Sequence, residues 1–150
     1  MASGWWLDLK CVKLYIYFYY TEMSLHSYQD LKVWQFGIDL AVLVYQLTQA
    51  FPKQETYGLS SQIQRAVVSV TSNIAEGAAR DSTKEFLHFL SITLGSLAEL
   101  ETQLILAQRL SYVSEQDLQI LLSRTSEIGR MVRGLQKSLK AKLYPPVTSH

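Results

Sequence analysis

Apolar side chains recur at intervals of three and four residues along four consecutive stretches of this 150-residue chain. Such spacing places them on one side of an α-helix. We predict helices over about 28–50, 55 or 58 to 79, 83–110 and 115–143. Because the connections between them are short, consecutive helices are expected to be antiparallel neighbours. The pattern therefore predicts an all-α fold, an antiparallel up-down-up-down four-helix bundle over residues 24–144.

Polar residues precede three of the predicted helices, and prolines follow two of them. A serine at the N-cap accepts a hydrogen bond from a free N–H group of the first turn, and the residue before a proline disfavours the α region. Residues 145–150 are accordingly predicted to be a tail beyond the bundle. The predicted caps are Ser27, Ser82 (in a capping box with Glu85) and Ser114, and the predicted stops are Phe51-Pro52 and Pro145-Pro146.

Residues 1–23 differ from the rest of the chain and are predicted to be an N-terminal extension. Residues 5–20 read WWLDLKCVKLYIYFYY, in which Asp8, Lys10 and Lys13 interrupt the apolar run and argue against a membrane span. No cationic region precedes the apolar part, as a signal peptide would require. Three interpretations stay open: a disordered or loosely packed tail, translation from upstream of a true start at Met23, and an added strand or membrane-contacting segment.

Composition excludes some classes of protein and shows where the charge lies. With 48% hydrophobic and 18% charged residues, the chain is too apolar to be disordered. The net charge is only +1, but residues 123–150 contain six basic residues and one acidic residue. The single cysteine, Cys11, excludes an intrachain disulfide and a cysteine-based metal cage, which suits a cytoplasmic protein.

Four basic residues of the fourth predicted helix fall within an arc of about 80°. They are Arg130, Arg133, Lys137 and Lys140, and apolar residues occupy the opposite side. A row of this kind suits the phosphate backbone of a nucleic acid. The alternative is an ordinary solvated face whose cations lie favourably near the helix C-terminus.

The first predicted helix is apolar on two sides, whereas a four-helix bundle covers only one. Homo-oligomerisation would cover the second side, or residues 1–22 would fold back over it. One side carries Leu31, Ile38, Val42 and Tyr45, and the other carries Val33, Phe36, Leu40 and Leu47.

Polar or small residues interrupt two of the apolar patterns. Glu76 near a helix C-terminus is unfavourable unless it meets a cation, and Gly77 permits close helix approach. With Asn73, these residues form either a polar interface or a local packing and helix-ending device. Glu101 falls within the apolar arc of the third helix, so it needs a partner or must reach solvent at the helix edge.

No motif indicates an enzyme, a metal or a cofactor. Glu85 and His88 form one Glu-x-x-His motif, but a bundle di-iron site needs two such motifs and two further glutamates. The other histidines, His26 and His150, lie near the chain ends. Nothing in the sequence positions a catalytic triad.

Several short motifs, in order over about 28–139, resemble a bacterial family known as four-helix bundle proteins. Its members include proteins encoded in intervening sequences of the 23S rRNA gene. The motifs are YQDLKVWQ (28–35), FP (51–52), SNIAEG (72–77), GSL (95–97), ELE (99–101) and LSY (110–112).

This resemblance implies a bundle that assembles as a homopentamer. A related branch, the accessory variability proteins of diversity-generating retroelements, pairs a basic surface with nucleic acid and a reverse transcriptase. The family supplies no catalytic residues. It implies structural or interface roles for Trp34, Pro52, Asn73, Glu76, Gly77, Gly95 and Glu101.

From these features we predict a cytoplasmic, non-enzymatic, homo-oligomeric protein that needs no cofactor and contacts no membrane. It is expected to bind RNA or DNA through the row of Arg130, Arg133, Lys137 and Lys140. The alternative is a protein–protein adaptor with no direct nucleic-acid contact.

Overall fold

The computed structural model describes residues 27–146, and these form four α-helices without a strand. A short 3₁₀ helix precedes each of the first two, at Tyr28–Asp30 and Lys53–Glu55. The prediction of an all-α four-helix bundle is confirmed. The predicted extension over residues 1–23 and the last four residues of the predicted tail lie outside the described residues. The helices are α1 (Lys32–Thr48), α2 (Leu59–Ala78), α3 (Thr83–Arg109) and α4 (Glu115–Leu143).

Each helix packs against its neighbours along the chain, and α4 returns to α1 to close the ring. The contact between α2 and α3 is the most extensive, and that between α1 and α4 is the least. The ring of consecutive neighbours is the arrangement expected for an up-down-up-down bundle with short connections.

The apolar row of α2 forms the centre of the core. Ile63, Val67, Val70 and Ile74 have no solvent exposure. Burying such side chains contributes about 1.5–3 kcal/mol each, so this row stabilises the bundle more than any single polar contact. Across from it, the other helices contribute the fully buried side chains of Val44, Leu90, Leu100, Leu104 and Val132.

The predicted serine caps agree with the structure at two places and differ at one. Ser82 and Ser114 accept hydrogen bonds from backbone N–H groups of the first turns of α3 and α4, as predicted. Ser27 was predicted to cap the first α-helix, but it accepts from the N–H of Gln29 and so caps the preceding 3₁₀ turn. The α-helix itself begins at Lys32.

The start of α2 at Leu59 agrees with the prediction near Gly58, and its cap, which the sequence did not assign, comes from Glu55. Its Oε2 accepts a hydrogen bond from the N–H of Leu59 at 3.0 Å, which fixes the first turn of α2. Its Oε1 accepts from the hydroxyl of Tyr112 at 3.3 Å. Tyr112 belongs to the α3–α4 loop, where Ser111 adopts a left-handed backbone with φ 65°. The α1–α2 and α3–α4 loops therefore meet at one end of the bundle, as antiparallel helices require.

Gly77 allows α2 and α3 to approach closely at the other end. A Cβ atom at this position would lie 2.7 Å from the Cβ of Phe89 and 2.8 Å from Cδ2 of Phe86. Neither distance is compatible with normal packing, so a side chain here would force the helices apart. Gly95 is different, because outside its own turn of helix no atom of residues 27–146 lies within 4 Å of the place where its Cβ would stand.

We predict opposite effects for alanine at these two glycines. Gly77→Ala should lower the free energy of unfolding by about 1–2 kcal/mol, because overpacking at Phe86 and Phe89 outweighs the gain of about 1 kcal/mol in helix propensity. Gly95→Ala, the matched control, gains propensity alone and should raise it by about 0.5–1 kcal/mol. Urea denaturation of both variants measures the difference, and equal effects at the two sites would contradict the close approach.

We predict a pH dependence that arises from Tyr112. Partial burial and the neighbouring Glu55 carboxylate raise the pKa of Tyr112 above its usual value of 10.0. The unfolded chain then releases this proton more readily than the folded one, so the stability that Tyr112 contributes is lost as the pH rises above 10. Between pH 9 and 11, Tyr112→Phe should lose less stability than the unmodified protein. Tyr57→Phe, at a 97% exposed position, should leave the profile unchanged.

Candidate nucleic-acid interface

The buried side of α4 determines where its basic residues lie. Ile128 and Val132 are buried to 1% exposure or less, and Leu139 is buried at the same face. This fixes the rotation of α4 about its axis and turns the opposite side to solvent. The basic row, which we define as Arg130, Arg133, Lys137 and Lys140, is exposed along that side.

The cations of the basic row have no carboxylate partners within residues 27–146. The ion pairs in this part of the chain are both formed by Arg80, with Glu76 and with Glu85. Arg130 donates a hydrogen bond to the hydroxyl of Ser126 at 3.2 Å, which orients its guanidinium along the helix. At a rise of 1.5 Å per residue the row extends for about 15 Å, enough to follow several phosphates of a strand.

Two members of the row also border a recess between α3 and α4. Arg130 and Arg133 stand on its α4 side, and Glu101 contributes from α3. Glu101 is half-buried, and its Oε1 accepts a hydrogen bond from the Thr125 hydroxyl at 2.6 Å. The expectation that Glu101 needs a partner thus finds one on the adjacent helix. The residues lining the recess are Leu94, Leu97, Ala98, Glu101, Thr125, Ser126, Gly129, Arg130 and Arg133.

Sequence reasoning did not single out Thr125, Ser126 and Gly129. Ser126 shares the exposed side of α4 with Arg130 and Arg133, whereas Thr125 and Gly129 are buried, so helical spacing alone did not connect all three with the arginines. Their role became visible only once α3 was placed beside them.

The segment 73–77 makes local contacts in the described part of the chain. The side-chain amide of Asn73 donates to the backbone carbonyl and the hydroxyl of Ser69, at 2.7 and 2.9 Å. Glu76 pairs with Arg80 at 2.9 Å, which supplies the cation that its place near a helix C-terminus calls for. The Arg80 guanidinium also lies 5.1 Å from the centre of the Phe89 ring. All these contacts lie within α2 or between its end and the first turns of α3, which favours the local packing interpretation. The exposed Glu76–Arg80 pair itself contributes little to stability.

The remaining residues with a predicted structural role, Trp34, Pro52 and Gly95, differ in their surroundings. Trp34 is half-buried and meets the ring of Tyr28 edge-on at 5.3 Å. Pro52 is half-buried and precedes the second 3₁₀ helix. Gly95 is exposed, and no contact within residues 27–146 requires a glycine there.

One of the two apolar sides predicted for α1 lies open. Val33 and Leu40 are buried in the core, whereas Ile38, Val42 and Tyr45 are exposed, Val42 by 52%. Leu43, which the sequence did not assign to this side, is also exposed, at the edge of α1 that faces Arg124 of α4. We refer to Ile38, Val42, Leu43 and Tyr45 as the α1 apolar surface.

Two further features bear on binding. Within the described residues, no group of three or more histidine, cysteine, aspartate or glutamate side chains could hold a metal ion, and His88 is exposed. By length and composition alone, α3 is long and apolar enough to cross a membrane. A core helix of a bundle passes the same test, and Leu90, Leu100 and Leu104 of α3 are fully buried.

Comparison with known proteins places the chain in a family. The family model described as 23S rRNA-intervening sequence protein matches residues 29–134. Among solved structures, a protein of unknown function from the S23 ribosomal protein family of Bacteroides thetaiotaomicron is similar, with a TM-score of 0.63 and 25% sequence identity. That match covers 70% of this chain and 98% of the other. No curated protein matches. The family model begins before α1 and ends within α4, and the chain belongs to the 23S rRNA-intervening sequence protein family.

Proposed function

We propose that this protein is a non-enzymatic accessory or scaffold protein of the cytoplasm that binds RNA or DNA through the basic row of α4. The observation that carries the proposal is a line of four exposed cations without a carboxylate partner in residues 27–146. Cations that are not neutralised within the chain are available to phosphates. Contacts of this kind position a nucleic acid without reading its bases.

The helix dipole explains only part of the row. Cations are favourable at a helix C-terminus, but the effect falls off within the last turn. Lys140 lies in the last turn of α4, whereas Arg130 and Arg133 lie several turns earlier. The helix dipole therefore does not explain the positions of these two arginines. Binding to phosphates accounts for all four positions.

Self-association is the second part of the proposal. The α1 apolar surface consists of four large side chains that the bundle leaves exposed. Contact with another copy would bury them, and the family resemblance suggests a homopentamer. A symmetric assembly would multiply the basic row by the number of subunits and strengthen attraction for a polyanion. The same resemblance suggests a reverse transcriptase as a protein partner.

The α1 apolar surface also supports an alternative function. A protein–protein adaptor would use these side chains to recruit another protein and would not need the basic row. Capture of a partner that survives nuclease treatment and is lost in Val42→Glu would favour this alternative. Retention of the partner in that variant would exclude the α1 apolar surface as its binding site.

We predict that the basic row determines the salt dependence of nucleic-acid binding. The full chain should bind single-stranded RNA or DNA with an affinity that falls steeply with salt, with a log–log slope of about −3 for four phosphate contacts. Replacing Arg130, Arg133, Lys137 and Lys140 together by Gln should weaken binding for every sequence and flatten the slope. Fluorescence anisotropy at several salt concentrations measures both quantities.

A matched variant separates position from net charge. Replacing Lys32, Lys53, Lys84 and Arg109 by Gln removes the same charge from exposed positions outside α4. This control should retain most of the affinity and slope. Equal losses in the two variants would show a nonspecific charge effect, and undiminished binding in the α4 variant would remove the proposed interface.

A further inference from the structure

The recess between α3 and α4 is a concave site with charges of both signs. Its volume is about 270 Å³. That is just below the range of about 300–1,000 Å³ that is typical of pockets for drug-sized ligands, and it suits a group the size of one nucleobase. Gly129 lines the α4 side of the recess, where a Cβ atom would fit in ordinary van der Waals contact. A Cβ atom there would stand 3.4 Å from Nη1 of Arg133 and 3.9 Å from Cδ1 of Leu97.

Glu101 retains unused capacity to accept hydrogen bonds. Its Oε1 accepts from Thr125, and within residues 27–146 its Oε2 has no hydrogen-bond partner. Neither Arg130 nor Arg133 forms an ion pair with this carboxylate, although all three residues line the same recess. A ligand in the recess would thus meet acceptors from α3 and cationic donors from α4.

We propose that this recess binds a single guanine base of an unpaired RNA or DNA strand, with the adjoining phosphates on Arg130 and Arg133. The phosphate contacts rest on the function proposed above, whereas the base contact depends on Glu101 alone. The base must be unpaired because its Watson–Crick edge is otherwise occupied.

The donor pattern of the bases selects guanine. Its Watson–Crick edge presents two adjacent donors, N1–H and the N2 amino group, which match the two oxygens of a carboxylate. Adenine and cytosine place an acceptor nitrogen beside their amino group, and that nitrogen would face the carboxylate unfavourably. Uracil has one N–H between two carbonyl oxygens. Glu101 therefore discriminates against the other three bases through charge and hydrogen bonding.

The walls of the recess suit the faces of a base. Leu94, Leu97 and Ala98 line the α3 side with apolar atoms. On the α4 side, the planar guanidinium groups of Arg130 and Arg133 can stack on a base or bind its phosphate. Because these arginines also belong to the basic row, a strand that follows the row passes the mouth of the recess.

Titration of the full chain with mononucleotides tests the proposal. GMP should bind at least about tenfold more tightly than IMP, which lacks the N2 amino group, and more tightly than AMP, CMP and UMP. Glu101→Gln, which preserves a hydrogen bond to Thr125, should abolish the preference. Glu99→Gln removes the same charge from an exposed position of α3 outside the recess and should retain it. Calorimetry or NMR titration provides the affinities.

A second variant tests the recess independently of whether Glu101→Gln folds. Ala98 is exposed at the recess, so Ala98→Phe should block the recess without disturbing the core and should remove GMP binding. Equal affinities for the five nucleotides, no binding of any of them, or a guanine preference that survives in Glu101→Gln would each overturn the proposal.

The basic row and the guanine site can be excluded by different outcomes. Salt-sensitive binding of an oligouridylate without any guanine preference in the mononucleotide series would leave the basic row in place and exclude the guanine site. Binding of guanosine, which has no phosphate, together with no oligonucleotide binding would exclude the row, and it would limit the guanine site to free nucleosides, which overturns its proposed role on a strand.

Discussion

The close packing of α2 against α3 is the contact on which the rest of the bundle depends. The apolar row of α2 is fully buried, and at its C-terminal end Gly77 is pressed against Phe86 and Phe89. Between the two helices, the hydroxyls of Ser69 and Ser96 form a 2.8 Å hydrogen bond. Small residues allow this approach, and a hydrogen bond across it specifies the register, because a shift along the axis would leave two hydroxyls with poorer partners. Both neighbours, α1 and α4, pack onto the pair that results.

Contacts with α3 also determine the position of α4. Its apolar side packs into the core, and the 2.6 Å hydrogen bond from Thr125 to the Glu101 carboxylate ties it to α3. Hydrogen bonds to charged groups contribute about 1.5–3 kcal/mol, more than neutral ones, so this contact limits both rotation and sliding of α4. The exposure of the basic row is thus a consequence of packing on the opposite side of the helix. Its local charge costs the core nothing, because none of its four cations is buried.

Local patterns in the sequence predicted the helices well, because helix periodicity and serine caps depend on residues close together along the chain. The cap of α2 was harder to predict than its start. Its cap is a glutamate that precedes the helix and is held by Tyr112, 57 residues away along the chain. The recess was missed for the same reason, since Glu101 and Thr125 meet only when α3 and α4 are paired. The basic row could be predicted from spacing alone. That its cations form no ion pair within residues 27–146 depends on where the carboxylates of the other helices lie.

The arrangement of the four helices separates the basic row from the α1 apolar surface. Arg130 and Arg133 border the recess shared with α3, so the basic row lies toward that side of α4. Arg124, by contrast, lines a groove with residues of α1 and belongs to the opposite side. Because α1 and α3 flank α4 in the ring, burying the α1 apolar surface against another copy would leave the basic row uncovered. The proposed self-association and the proposed phosphate binding would therefore use different surfaces, and a symmetric assembly would present one basic row from each subunit.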